Sequence, residues 1–122
     1  MTQAPPQSSG ARALQLIRAA YGTALILLPG PMIQLATGRV PSHRARQVAR
    51  VLGTRHLVQT ALTACARRPS AFAAGAGIDA LHATSMLLLA AADGCVRRAA
   101  LADALAESAL AAGGFSVSAQ RV

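Results

Sequence analysis

Aromatic side chains are nearly missing from this chain of 122 residues: Tyr21, Phe72 and Phe115 are all it has, with no tryptophan. A soluble domain of this length buries a smaller share of its surface than a larger one and leans on bulky side chains to compensate. The shortage therefore argues against an ordinary water-soluble core. Charge is scarce too, at 13% of residues, about half of the ~25% usual for soluble domains. Lysine is absent, so all twelve basic residues are arginines, and the acids are only Asp79, Asp93, Asp103 and Glu107. The two cysteines, Cys65 and Cys95, form no CxxC pair, which removes the usual thiolate metal site or redox couple. No Gly-rich phosphate loop, HExxH or GxSxG motif is present, so no catalytic residue is assigned and the balance leans away from an enzyme. Alternating polar and apolar residues and β-branched clusters are also missing, which excludes a strand-built fold.

What fills the chain is alanine, at 30 positions. Small residues suit helices in lipid, which gain stability from close backbone approach and interhelical hydrogen bonds instead of from a hydrophobic drive between them. A GC-rich gene also yields alanine and arginine without that meaning. Four apolar stretches stand out: Ala13–Leu28, Val48–Ala66, Ala71–Ala92 and Ala99–Ala119. Each carries ionisable residues, and the signs segregate, with arginines in the first half and acids in the second. The composition predicts an all-α integral membrane bundle of about four helices, multi-pass in the plasma membrane and facing the lipid bilayer. Residues 1–11 read as a disordered polar tail, 12–119 as a single helical membrane domain and 120–122 as a C-terminal tail.

The expected first helix, Arg12–Leu28, is stopped by Pro29, Gly30 and Pro31, because proline lacks the helix donor and clashes with the preceding turn. It is short of the roughly 20 residues a span needs, so Met32–Ala36 is expected to complete the crossing or lie at the interface. The second helix, about Arg44–Ala66, has Ser42 as its expected N-cap. Ser70 is placed as N-cap of the third, which ends near Ala92 before Gly94, and the fourth begins near Arg97 or Arg98. On the insertion scale a mid-helix Arg or Asp costs about 2.5 to 3.5 kcal/mol, against a gain of about 0.3 to 0.6 for each Leu, Ile, Val or Phe. The third helix roughly balances on that scale, and the second needs a partner. The fourth, with Asp103 and Glu107 and an interruption at Gly113 and Gly114, is the least apolar and is expected to be short or interfacial. Cys65 and Cys95 fall at opposite faces of such a bundle. Counting arginines in the connections barely decides orientation, leaning towards both termini outside.

The most specific pattern is a set of ionisable groups at matched depth. Counted from the connection at residues 67–70, Arg55, His56, Asp79 and His82 lie within about 5 Å of one level at 1.5 Å per residue. Gly53, His56, Thr60 and Thr63, and likewise Gly75, Asp79, His82 and Met86, follow helical three-and-four spacing, so each set shares one face. Three readings stay open. In one, Arg55 pairs with Asp79 and the cluster fixes which helices meet, as intramembrane charges commonly do. In another, His56, Asp79 and His82 relay protons. In the third, His56 and His82 supply the two axial ligands of a haem, although the chain has few aromatic rings to line such a pocket. Asp103 and Glu107, at i and i+4, read as helix-pairing charges for Arg18 or Arg97 before they read as a general acid and base. No metal site is assigned.

Arg39, Arg44, Arg46 and Arg50 form the densest basic cluster. Without stacking aromatics beside it, nucleic acid is disfavoured, and a basic loop at an anionic membrane surface fits better. The runs Ala49-Arg50-Val51-Leu52-Gly53-Thr54-Arg55-His56-Leu57 and Asp79-Ala80-Leu81-His82-Ala83-Thr84-Ser85-Met86 resemble signatures of small four-helix membrane proteins of actinobacteria. That group has no assigned activity, so the resemblance, over roughly Arg12 to Ala112, implies a fold and a membrane location only. The expected role is a non-enzymatic accessory or structural subunit, partnered by a larger membrane protein or by further copies of itself. A proton-coupled carrier built on the His/Asp/Arg cluster is the rival, and a soluble helical adaptor with a basic surface is the third possibility.

Overall fold

In the computed structural model, described for residues 8–66 and 68–120, the chain folds into five α-helices: α1 (Ser9–Leu27), α2 (Pro29–Thr37), α3 (His43–Ala66), α4 (Pro69–Ala92) and α5 (Arg97–Ala119). The expected N-terminal tail falls largely on residues 1–7, outside the described residues. Helix α1 begins at Ser9, ahead of the expected Arg12, because the Ser8 hydroxyl accepts from Ala11 N at 3.2 Å and caps the first turn.

Leu28 leaves helical geometry at φ −128°, and Pro29 opens α2 at its first position, where its missing N–H would be unpaired in any case. The two helices meet at 102°. The segment expected to complete the first crossing is thus a separate helix turned sharply away from α1. Gly38, at φ 70°, ends α2 in the left-handed conformation, with its N–H donated to Gln34 O at 2.7 Å. Ser42 caps α3 as expected, accepting from Ala45 N at 3.2 Å. Ser70 does not cap α4, since Pro69 already occupies the first helical position behind Arg68.

The expected short fourth helix is not what forms. Helix α5 runs 23 residues straight through Gly113 and Gly114, and together with α4 it is long and apolar enough to cross a membrane. The bent pair α1 and α2 passes the same test only when taken together. Helix α3, at 24 residues, is long enough but fails on polarity, because Arg50, Thr54, Arg55, His56, Gln59, Thr60 and Thr63 dilute its apolar residues. Two or three helices can therefore span, instead of the four expected.

Packing is pairwise. Helix α1 lies along α3 and α4 along α5, with narrower seams between the two pairs. Small residues set both close approaches. A Cβ on Gly53 would stand 2.5 Å from Gly22 O, and one on Gly114 would stand 2.8 Å from Ala76 Cβ. The apolar core joining the pairs is modest: Ala11, Leu14, Phe72, Leu110 and Val117, with Tyr21 against it.

Two glycine substitutions should therefore part ways. Gly53→Ala is expected to lower the melting temperature in detergent, at a cost of about 1–3 kcal/mol, because backbone carbonyl and the Leu25 and Ile26 side chains stand in the way. Gly77, on the same bundle, has nothing within 4 Å of a built Cβ. There, Gly77→Ala should be neutral or stabilising by up to about 1 kcal/mol from helix propensity. Equal losses at both positions would contradict this packing.

Candidate functional site: a buried ion-pair network across the helix-pair seam

Among the described residues the largest fully buried side chains are ionisable: His56, Glu107 and Asp79, each 0% exposed. Helical periodicity places them. On α3, His56 lies one turn after the buried Gly53, so it inherits the face that packs inward. On α4, Asp79 follows Gly75 and Ala76 on the buried stripe, and on α5 Glu107 follows Ala100 and Ala104. The small residues before each charge let the backbones close up, and the longer polar side chains then bridge what remains.

Arg18, on α1, clamps Asp79 with two parallel bonds: Nη1 donates to Oδ1 at 3.1 Å and Nη2 to Oδ2 at 2.5 Å. This fork-on-fork geometry is the strongest form of charge-assisted hydrogen bond. Gln59 Nε2 adds a weak donation to Asp79 Oδ1 at 3.4 Å. Arg55, the partner expected for Asp79, stands 3.7 Å from Asp79 Oδ1 and instead donates to Glu107 Oε1 at 2.6 Å. The expected Arg55–Asp79 pair is thus the weaker contact, because α1 delivers Arg18 to the same carboxylate with a more direct approach. His56 Nε2 sits 2.8 Å from Glu107 Oε1 but off the line a hydrogen bond requires. The Tyr21 ring meets His56 edge-on, with centroids 5.2 Å apart.

His82 is on the same level but belongs to a separate branch. Its Nε2 is 2.7 Å from Asp103 Oδ2 on the adjacent α5, and both side chains are partly exposed. Neither Asp103 nor Glu107 pairs with Arg18 or Arg97 as expected; Arg97 Nε donates to Ala90 O at 3.0 Å, an end-of-helix contact. Of the expected set, Arg55, His56 and Asp79 meet at the carboxylates of Asp79 and Glu107, whereas His82 pairs apart with Asp103, and the set omits the groups from α1 and α5. Arg18, Asp103 and Glu107 were legible as charges in apolar stretches, whereas their partners were not, because choosing them requires knowing that α1 pairs with α3 and α4 with α5.

The network has a direction. Its arginines come from α1 and α3 and its carboxylates from α4 and α5, so Arg18–Asp79, Arg55–Glu107 and His56–Glu107 all cross the seam between the two helix pairs. Two carboxylates, Asp79 and Glu107, meet two guanidiniums across it. Within the buried part, Arg55 Nε, His56 Nδ1 and Glu107 Oε2 have no hydrogen-bond partner, so polar capacity remains unspent around Glu107. A cavity of about 10 Å³, the size of one water, touches Arg18 and Gln59 between Leu14, Thr63, Phe72 and Gly114.

The remaining residues of interest lie at the ends. Arg39, Arg44, Arg46 and Arg50 are all exposed, on the α2–α3 connection and the first turns of α3. A surface hollow is lined by Thr37, Arg39, Val40 and Pro41 together with Gly94, Cys95, Val96 and Arg98. It joins the α2–α3 and α4–α5 connections at one end of the bundle. Cys65 and Cys95 are free thiols on the surface. No protein-family model matches the chain, and no curated protein or solved structure was found to be similar to it.

Proposed function

We propose that this chain is a small multi-pass membrane protein of the plasma membrane, acting as a non-enzymatic structural or accessory subunit of a larger membrane assembly. The observation that carries the reading is the inversion of the usual interior and exterior. The largest side chains fully hidden are His56, Asp79 and Glu107, while Leu35, Leu81 and Leu105 are 87%, 71% and 75% exposed. In water that distribution would be costly twice, by leaving apolar surface wet and by stripping charges of solvent. In a bilayer both costs fall, since leucines face lipid and the charges find one another inside.

The chemistry of the network favours a structural role over a catalytic one. Arg18 spends both of its terminal nitrogens on Asp79, and Arg55 spends one on Glu107, in each case across the seam. The charges therefore specify which helix pair meets which, and in what register. Helix α3 supports the accessory role, because its exposed Gln47, Arg50 and Thr54 are poor lipid-facing residues and good partners for a polar protein surface. The basic residues Arg39, Arg44 and Arg46 suit anionic headgroups at about 1 kcal/mol each.

The test is an alkaline carbonate wash of membranes from cells expressing the full chain, followed by detergent extraction, size-exclusion chromatography and mass spectrometry. The expected result is retention in the membrane and co-elution with a defined larger membrane protein. Release by the wash would instead make the chain a soluble helical adaptor. A lone small oligomer in detergent would remove the accessory role and leave the proton-coupled carrier.

A further inference from the structure

We propose that His82, Asp103 and Glu107 form a binding site for a divalent transition-metal cation of the zinc class. One donor atom from each of these three side chains lies within 4.8 Å of the other two. The set is one imidazole nitrogen and two carboxylates, a mixed N/O group that suits Zn²⁺ and its neighbours better than calcium or magnesium, which prefer oxygen alone.

A second observation separates this from a mere gathering of acids. Glu107 is 0% exposed, and its Oε2 has no hydrogen-bond partner, while Arg55 holds its Oε1 at 2.6 Å. A buried carboxylate oxygen left bare is costly. A carboxylate fixed through one oxygen and free at the other is what metal sites commonly show, since their ligands are themselves held by surrounding donors.

The alternative triad, His56, Asp79 and Glu107, also gathers within 4.8 Å, but its Asp79 is unsuitable. Both Asp79 oxygens are bound by Arg18, and Gln59 and Arg55 approach Oδ1 as well. A cation there would have to displace a two-pronged arginine. At His82 and Asp103 the obstacle is smaller. Their 2.7 Å contact must open to the edge of a coordination tetrahedron, about 3.4 Å for bonds of ~2.1 Å. Both side chains are partly exposed, at 25% and 16%, which gives them room to move and leaves the fourth coordination position accessible. The three ligands come from α4 and α5 alone, the two helices packed most extensively on each other.

This site does not depend on the accessory role proposed above, and its test is separate. The full-length protein, in a Cys65→Ser, Cys95→Ser background to remove surface thiols, is purified in detergent, stripped with EDTA, and dialysed against Zn²⁺ with metal content measured by mass spectrometry. One equivalent per chain is expected. His82→Ala and Asp103→Asn should each weaken it by roughly tenfold or more, while His43→Ala and Asp93→Asn, at exposed positions away from the network, should leave it unchanged. Loading the unmutated ligand set with Co²⁺ guards against variants that fail to fold: four-coordinate absorption bands with imidazole and carboxylate character are expected. Absence of stoichiometric Zn²⁺ binding, binding that survives both ligand substitutions, or a Co²⁺ spectrum of a purely hydrated ion would each overturn the site.

Discussion

Asp79→Ala is expected to be the most damaging single substitution in the chain, lowering accumulation in the membrane to near background. Its carboxylate is fully buried and, among the described residues, is the sole charged partner of Arg18, whose own side chain is only 6% exposed. Removing one member of a buried pair strands the other's charge at a cost of about 3–5 kcal/mol. Folded proteins are stable by only about 5–15 kcal/mol in total, so one such loss is a large fraction of the whole. The pair can, however, be replaced as a unit. Because the desolvation of both ions is relieved together, Arg18→Met combined with Asp79→Leu should recover most of the stability that Asp79→Ala alone forfeits. Yield after detergent extraction and the melting temperature of the purified variants report this directly. If Asp79→Ala and the double variant behaved alike, the bond between Arg18 and Asp79 would not be what joins α1 to α4.

That result would also explain why so much of the architecture was readable from composition and so little of its pairing. Helix ends followed local chemistry: Ser42, Pro29 and Gly38 act on their own neighbours, and a chain read residue by residue exposes them. Rise per residue converts positions such as 55, 56, 79 and 82 into nominal depths, but it does not name which groups pair. Asp103 and Glu107 weigh against the fourth helix as a span only if they face lipid, whereas α5 turns Glu107 inward, where Arg55 and His56 offset it. Gly113 and Gly114 look like breakers by local propensity. In the fold they are close-packing positions instead, with Leu14 and Ala76 pressed against them. Both differences have one source: the worth of a charge or a glycine inside a helix is set by the neighbouring helix, and no local pattern names that neighbour.

Glu107 ranks second and tests the same seam from the other side. Glu107→Ala removes the acceptor of Arg55 and the close companion of His56 in one step. The damage should nonetheless be smaller than at Asp79. Arg55 keeps Asp79 within 3.7 Å, and its side chain is 27% exposed, so its charge is neither fully buried nor fully abandoned. The expected cost is about 1–3 kcal/mol, the range for leaving buried polar groups unsatisfied. A double-mutant cycle of Arg55→Ala with Glu107→Ala should return a coupling of about 0.5–3 kcal/mol. The same cycle run on His82 and Asp103, whose pair joins α4 to α5 within one helix pair and is partly exposed, should return about 1 kcal/mol or less. The order Asp79, Glu107, His82 therefore follows burial and the crossing of the seam, not formal charge. A larger coupling at His82–Asp103 than at Arg55–Glu107 would mean that the network consolidates the α4–α5 pair instead of joining it to α1 and α3.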